Sequence, residues 1–268
     1  MHKYRARAGQ HASGAQDVTT LTLEKVSKRF GGVIAAEDVN LRATSGRVTG
    51  IIGPNGAGKT TLVNLITGMT TLSSGGIRLD GLDLSRSSAD AVGRAGVART
   101  FQNIRLQTDA SVLDNVMIGF QRLETSSVIA DLLGLPSSRR ETARTRNNAR
   151  SLLEEFGMSR YAQHPAGSLA YGHQRRVEMM RAFAAKPRVL LLDEPVAGMN
   201  DVEAEELGAL FRDLADSGVA VVVIEHNMRF ITSISDYLYV LDRGRIIAEG
   251  EPREVLTSSC VIEAYLGN

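Results

Sequence analysis

Gly53-Pro54-Asn55-Gly56-Ala57-Gly58-Lys59-Thr60 fits the phosphate-binding pattern G-x-x-x-x-G-K-[ST], and its flanks decide the fold. Before it, Arg47-Val48-Thr49-Gly50-Ile51-Ile52 is apolar and β-branched like a buried strand. After it, Thr61-Leu62-Val63-Asn64-Leu65-Ile66-Thr67 carries apolar residues at helical spacing, and Gly68 closes the run. Strand, glycine-rich loop and helix in that order make a cradle for a polyphosphate. The loop amides and the N-terminus of the helix face the anion, Lys59 reaches the terminal phosphates, and Thr60 can ligate Mg²⁺. An ordinary glycine-rich turn would match the four fixed positions in roughly one chain in a hundred of this length, given Gly at about 7% of average usage.

The rest of the composition sets bounds. At 268 residues, 43% hydrophobic and 23% charged, the chain has the material for one large or two small domains. Its longest apolar runs, Val189-Leu190-Leu191-Leu192 and Val219-Ala220-Val221-Val222-Val223-Ile224, are strand-length and far below the ~20 residues of a spanning helix. Any membrane role is therefore expected through partners. A net charge of +1 gives no electrostatic case for a nucleic-acid partner, and the single cysteine, Cys260, cannot close an internal disulfide; both suit the cytosol. Met1 to Gln16 holds Lys3, Arg5 and Arg7 but no apolar stretch of a secretory signal, so residues 1–18 read as a loose tail.

Hydrophobic periodicity predicts strands at Val18 to Val26 and Asp38 to Ala43, a short antiparallel strand at Ile77 to Leu79, a helix near Ser87 to Arg94 and a strand at Gly96 to Thr100. From about 103 to 185 the pattern turns helical, broken at Gly134-Leu135-Pro136 and at His164-Pro165. Arg139, Arg140, Arg144, Arg146 and Arg150 give this insertion a basic face, read first as a solvated helix surface, and otherwise as a contact for acidic head groups or a partner. Strand-length runs then return at Arg188 to Leu192, Val219 to Ile224 and Tyr237 to Leu241. They alternate with helices at Asp201 to Ala215 and His226 to Ser235, followed by a strand at Arg245 to Ala248 and a terminal helix at Val261 to Leu266. Such βαβα order predicts a mostly parallel sheet with its ligand at the carboxyl ends of the strands. Residues 19–268 read as a single unit.

Val189-Leu190-Leu191-Leu192-Asp193-Glu194 is an apolar strand that ends in two carboxylates. Placed beside the phosphate loop, Asp193 would face Mg²⁺ through water and Glu194 would orient or deprotonate an attacking water. The long stretch between Lys59 and Asp193, and the absence of Asn-Lys-x-Asp, argue against a small GTPase.

The order of motifs carries a resemblance. The phosphate loop, Phe101-Gln102-Asn103, Leu169-Ala170-Tyr171-Gly172-His173-Gln174-Arg175, Asp193-Glu194-Pro195 and Glu225-His226 together resemble the ATPase subunits of ABC transporters, over about residue 19 to the C-terminus. The resemblance implies a P-loop NTPase fold of the α/β class: a RecA-like, mostly parallel sheet, an antiparallel β patch and an inserted helical subdomain. ATP and Mg²⁺ are then the implied cofactors. Phe30 would stack on adenine, and Gly53, Pro54, Asn55, Gly56, Ala57, Gly58, Lys59, Thr60 and Thr61 would hold the phosphates. Thr60, Gln102 and Asp193 would be the metal positions, and Glu194, His226, Gln102 and Lys59 the catalytic ones. Leu169, Ala170, Gly172 and Gln174 would bind the ATP of an opposing subunit, so a complete site needs a dimer.

The chain departs from the usual Leu-Ser-Gly-Gly-Gln by Ala170, Tyr171 and His173, and its Val196-Ala197-Gly198-Met199-Asn200 ends in Asn where Asp is usual. With Arg99-Thr100-Phe101-Gln102-Asn103 and the terminal Ile262-Glu263-Ala264-Tyr265-Leu266-Gly267, these departures are similar to the longer ATPase of high-affinity branched-chain amino-acid importers. That implies two integral-membrane permease subunits, a second ATPase (paralogue or self), an extracytoplasmic solute-binding protein, and a place on the cytoplasmic face of the inner membrane. Amides, urea or aromatic acids are alternative solutes. A soluble ABC-type ATPase of repair or translation is the alternative without a membrane, and a regulator without turnover is a third, against which Lys59, Glu194 and His226 argue.

Overall fold

A computed structural model describes residues 18–100, 105–120 and 136–266. In chain order its elements are β1 (Thr20–Phe30), β2 (Val33–Thr44), β3 (Val48–Ile52), α1 (Lys59–Ile66), β4 (Ser74–Leu79), β5 (Leu82–Asp83), α2 (Ala89–Arg94) and β6 (Val97–Arg99). There follow α3 (Val112–Phe120), α4 (Pro136–Glu155), α5 (Tyr171–Ala184), β7 (Val189–Asp193), α6 (Asp201–Asp216), β8 (Ala220–Ile224), α7 (Met228–Ile234), β9 (Tyr237–Asp242), β10 (Arg245–Gly250), α8 (Pro252–Thr257) and α9 (Ser259–Leu266).

β3, β7 and β8 are buried at every position, the burial expected of parallel strands covered on both faces. They lie in a six-stranded sheet of order β10-β9-β3-β8-β7-β6, parallel throughout except for β10 against β9. A second, antiparallel sheet runs β2-β1-β4-β5. One apolar cluster joins Leu21, Leu23 and Val39 of that sheet, Leu62 and Ile66 of α1, and Ile51, Val222 and Leu191 of the parallel sheet.

The chain separates into two compact units, one of residues 1–99 with 188–268, the other of residues 100–187. In the second, α3, α4 and α5 bury Val116, Leu153, Met158, Val177 and Met180. α3 approaches α5 closely at Gly119, where a Cβ would stand 2.4 Å from the Arg181 carbonyl. Arg140, Arg144, Arg146 and Arg150 are exposed along α4 while Thr145 and Ala149 are buried, which is the solvated basic face read from the sequence.

Several boundaries differ from the expectation. β1 and β2 extend to Phe30 and from Val33, so Lys28-Arg29-Phe30 is strand and Gly31-Gly32 a tight turn. Cross-strand pairing of Phe30 with Val33 and Arg29 with Ile34 carries both strands up to the two-glycine turn. The expected helix from His226 starts at Met228, because Asn227 caps it by accepting the Phe230 N–H at 3.1 Å. The short helix α8, with Pro252 at its first turn, has no counterpart in the periodicity reading.

Candidate active site

The sheet order places the candidate residues. β8 lies between β3, which leads into the phosphate loop, and β7, which ends at Asp193. Ile51 of β3, Ile224 of β8 and Asp193 of β7 stand in one row across the sheet. The residues just beyond that row therefore emerge together at the carboxyl edge: the phosphate loop, Glu225-His226 and Glu194.

In the loop, two glycines are required by space. A Cβ on Gly53 would lie 2.0 Å from the Leu241 carbonyl, and one on Gly58 would lie 2.4 Å from the Ala35 carbonyl, at a φ of +103°. Gly58 also stands at the N-cap of α1, so the left-handed turn aims the first amides of the helix into the loop. Lys59 Nζ donates to the carbonyls of Gly53 (2.7 Å) and Pro54 (3.0 Å), folding its ammonium across the cradle. Burial pushes its pKa down, while the nearby carboxylates of Glu194 and Asp193 push it up. Thr60 is exposed and Thr61 half-buried at the start of α1.

Asp193 is buried, and its Oδ2 pairs with Arg99 Nη2 at 2.9 Å; Arg99 Nη1 also donates to Asn64 Oδ1 at 2.6 Å. Arg99, which sequence reasoning used only as part of a motif, thus ties β6 to the carboxylate at the end of β7. Glu194 adopts φ +47°, an uncommon state for a residue with a Cβ, held by its N–H donating to the Ile224 carbonyl at 2.9 Å. Its Oε1 comes 3.6 Å from His226 Nδ1, and Glu225 Oε2 comes 3.8 Å from the same nitrogen. Lys59, Asp193, Glu194 and His226 are therefore neighbours on one edge, a cation and two carboxylates beside an exposed imidazole.

Phe30 is half exposed at the end of β1, with Lys28 Nζ 4.8 Å above its ring. It shares the hairpin tip with exposed Val33 and Ile34, and the same hairpin brings Ala35 against Gly58. Gln102 lies outside the described residues. At the other end of the unit's sequence, α9 buries the Tyr265 hydroxyl near the Gly53 backbone, in a geometry short of a hydrogen bond, and burial pushes the phenol up to about 12. Periodicity showed the helix but not its neighbour.

In the helical unit, Leu169 is buried and Ala170 is the N-cap of α5, without a side-chain cap. Gln174 donates to the Leu169 carbonyl at 2.8 Å, drawing 169–174 into a closed turn. Gly172 is the second residue of α5 and its φ is not positive, so the left-handed backbone that would add strain to its replacement does not form. Exposed Tyr171 donates no cap; its hydroxyl accepts from Arg175 Nε at 3.1 Å, and buried Arg175 pairs with Glu178 at 3.1 Å.

The chain is similar to known proteins along most of its length. The family model for the ABC transporter covers residues 36–197, and one described as branched-chain amino acid ATP-binding cassette transporter covers residues 245–268. The chain is 40% identical to the high-affinity branched-chain amino acid transport ATP-binding protein BraF of Pseudomonas aeruginosa, over 92% of this chain and 97% of that one. It is 37% identical to LivG of Escherichia coli, a protein of the same description, over the same shares. The ADP conformation of MJ1267, an ATP-binding cassette of an ABC transporter, superposes with a TM-score of 0.81 at 31% identity, covering 93% of this chain and 99% of that one. Among the described residues no helix is long and apolar enough to cross a membrane. With its phosphate loop, paired carboxylates and histidine on one sheet edge, the chain belongs to the ATP-binding, ATP-hydrolysing subunits of ABC transporters.

Proposed function

We propose that this subunit drives import of branched-chain amino acids from the cytoplasmic face of the inner membrane. It would sit beneath two permease subunits, paired with a second ATPase and served by an extracytoplasmic binding protein. The match over residues 245–268 is the observation that carries the solute, because it lies outside residues 36–197, which the general ABC transporter model covers. Uptake of labelled leucine, isoleucine and valine in cells lacking this chain tests it. Transport of those three should fall and return with the wild-type chain; unchanged uptake, or loss of urea or amide uptake instead, would reassign the solute.

For the chemistry, Glu194 is the general base, Lys59 clamps the terminal phosphates and His226 bonds the γ-phosphate, while Phe30 stacks on adenine. The amides of 53–61 cradle the phosphates, and 169–174 bind the nucleotide of the opposing subunit through the Gly172 amide and the start of α5. Thr60 and Asp193, with Gln102, would hold Mg²⁺. The oxygen-only donor set suits that ion, which keeps several waters and uses few protein ligands. When bound, Mg²⁺ neutralises charge developing on the phosphates. The 3.6 Å approach of Glu194 to His226, with Lys59 in reach of Glu194 and Asp193, supports the roles given to Glu194, His226 and Lys59. Glu194→Gln is expected to keep Mg-ATP binding while losing ~10²–10⁴-fold in turnover, as removal of a general base does. Steady-state hydrolysis near wild type in that variant would remove Glu194 from the role.

A further inference from the structure

Glu225 is a buried carboxylate, only 1% exposed, that none of the roles above employs. It follows β8, the strand lying between the phosphate-loop strand and the strand of Asp193. Its Oε1 accepts the N–H of Val196 at 3.1 Å, in the segment leaving Glu194. Its Oε2 accepts the N–H groups of His226 at 3.1 Å and Asn227 at 3.4 Å. The same oxygen lies 3.8 Å from His226 Nδ1. One side chain therefore holds the backbone on both sides of the Glu194 to His226 gap.

We propose that Glu225 is a positioning residue: by accepting from Val196 with one oxygen and from His226 and Asn227 with the other, it locks the segment after Glu194 to the His226 turn and sets the spacing of the two groups that face the transferred phosphate. The inference rests on the reading of Glu194 and His226 given above. Three donors converging on one group demand an acceptor at both oxygens, which a carboxylate supplies and an amide does not. In Glu225→Gln the amide NH₂ must oppose either the Val196 N–H or the pair at His226 and Asn227, so one of the two loops is released. Glu225→Asp keeps the charge but is one methylene too short to span both. Burial without these partners would be costly, since an unsatisfied buried acceptor loses its hydration for nothing. Burial pushes the Glu225 pKa up, and the three N–H bonds and His226 pull it down.

The test uses the full chain assembled in its membrane complex, with Glu225→Gln, His226→Ala and the double variant, and a fluorescent ATP analogue to read nucleotide affinity. Acting through His226, Glu225→Gln is expected to lower kcat at least tenfold with KM and analogue affinity within about twofold of wild type. The double variant should then be no slower than the slower single variant. Turnover within twofold of wild type, or a double variant slowed by the product of both single effects, overturns the proposal. A loss of affinity together with a fall in melting temperature overturns it too, because that marks a role in the fold alone. If His226→Ala and Glu194→Gln each keep full turnover, the reading of the active edge is what fails. Should Glu225→Gln not fold, amide exchange in the wild-type chain decides. After correction for intrinsic exchange, the N–H groups of Val196, His226 and Asn227 should show one common opening free energy, and independent opening free energies would refute the link.

Discussion

Lys59 illustrates what single residues impose. With its ammonium half-buried over the loop carbonyls, desolvation lowers its pKa below 10.5 despite Glu194 and Asp193. Between that lowered value and 10.5 the folded chain binds fewer protons than the unfolded one, so stability must rise with pH through the window. Nucleotide-free wild type should therefore gain stability relative to Lys59→Met as pH rises toward 10.5, a difference that urea unfolding across that range reads directly. Saturating ATP should shrink the pH dependence, because phosphate charge offsets the desolvation of the ammonium. The motif residues were legible in the sequence, since spacing alone marks a phosphate loop and a strand ending in two acids. The contacts made by Arg99 and Glu225, which the motifs include, were not. Their partners, Asp193 and Val196, are distant in sequence and become neighbours only through the strand order.

At the scale of elements, α5 carries two separable tests. Its N-cap is Ala170, so the first amides of the helix lack the side-chain acceptor that Ser, Thr, Asp or Asn would supply. Ala170→Ser should stabilise the helical unit by ~0.5–2 kcal/mol, visible in thermal unfolding. Turnover should change no more than about tenfold, since one neutral hydrogen bond is worth ~0.5–1.5 kcal/mol and the amide charge at the helix start is already present. Arg175, by contrast, is 2% exposed and holds Glu178. Glu178 also has the Arg181 guanidinium nearby, so Arg175→Ala should lower stability without leaving that carboxylate uncompensated, while Arg175→Met with Glu178→Leu should cost less. Denaturant titration of both variants separates charge burial from packing. Most elements followed from hydrophobic period, because buried strands and amphipathic helices differ plainly in repeat. The hairpin at Phe30 to Val33 and the cap at Asn227 did not, because cross-strand pairing and a single side-chain bond decide those ends.

For the whole molecule, assembly is the property that separates this reading from that of a self-contained ATPase. The phosphate loop belongs to one compact unit and residues 169–174 to the other. The proposed partner of 169–174 is the nucleotide of an opposing subunit. In that reading the start of α5, with its partial positive charge and no acidic side chain in its first turn, has no anion to meet until a second ATPase presents one. The purified chain should consequently be monomeric without nucleotide and should associate when ATP is bound but not consumed. Glu194→Gln supplies that condition if Glu194 is the base proposed above, because the substitution then removes the base and spares the proposed phosphate contacts. Light scattering of Glu194→Gln with and without Mg-ATP should show the mass rise toward a dimer only with nucleotide. Gly172→Asp in the same background should abolish the rise by setting a carboxylate against the phosphates, and it should do so without unfolding, since Gly172 is already helical. Association that is indifferent to both ATP and Gly172→Asp would mean that 169–174 do not act on a partner's nucleotide.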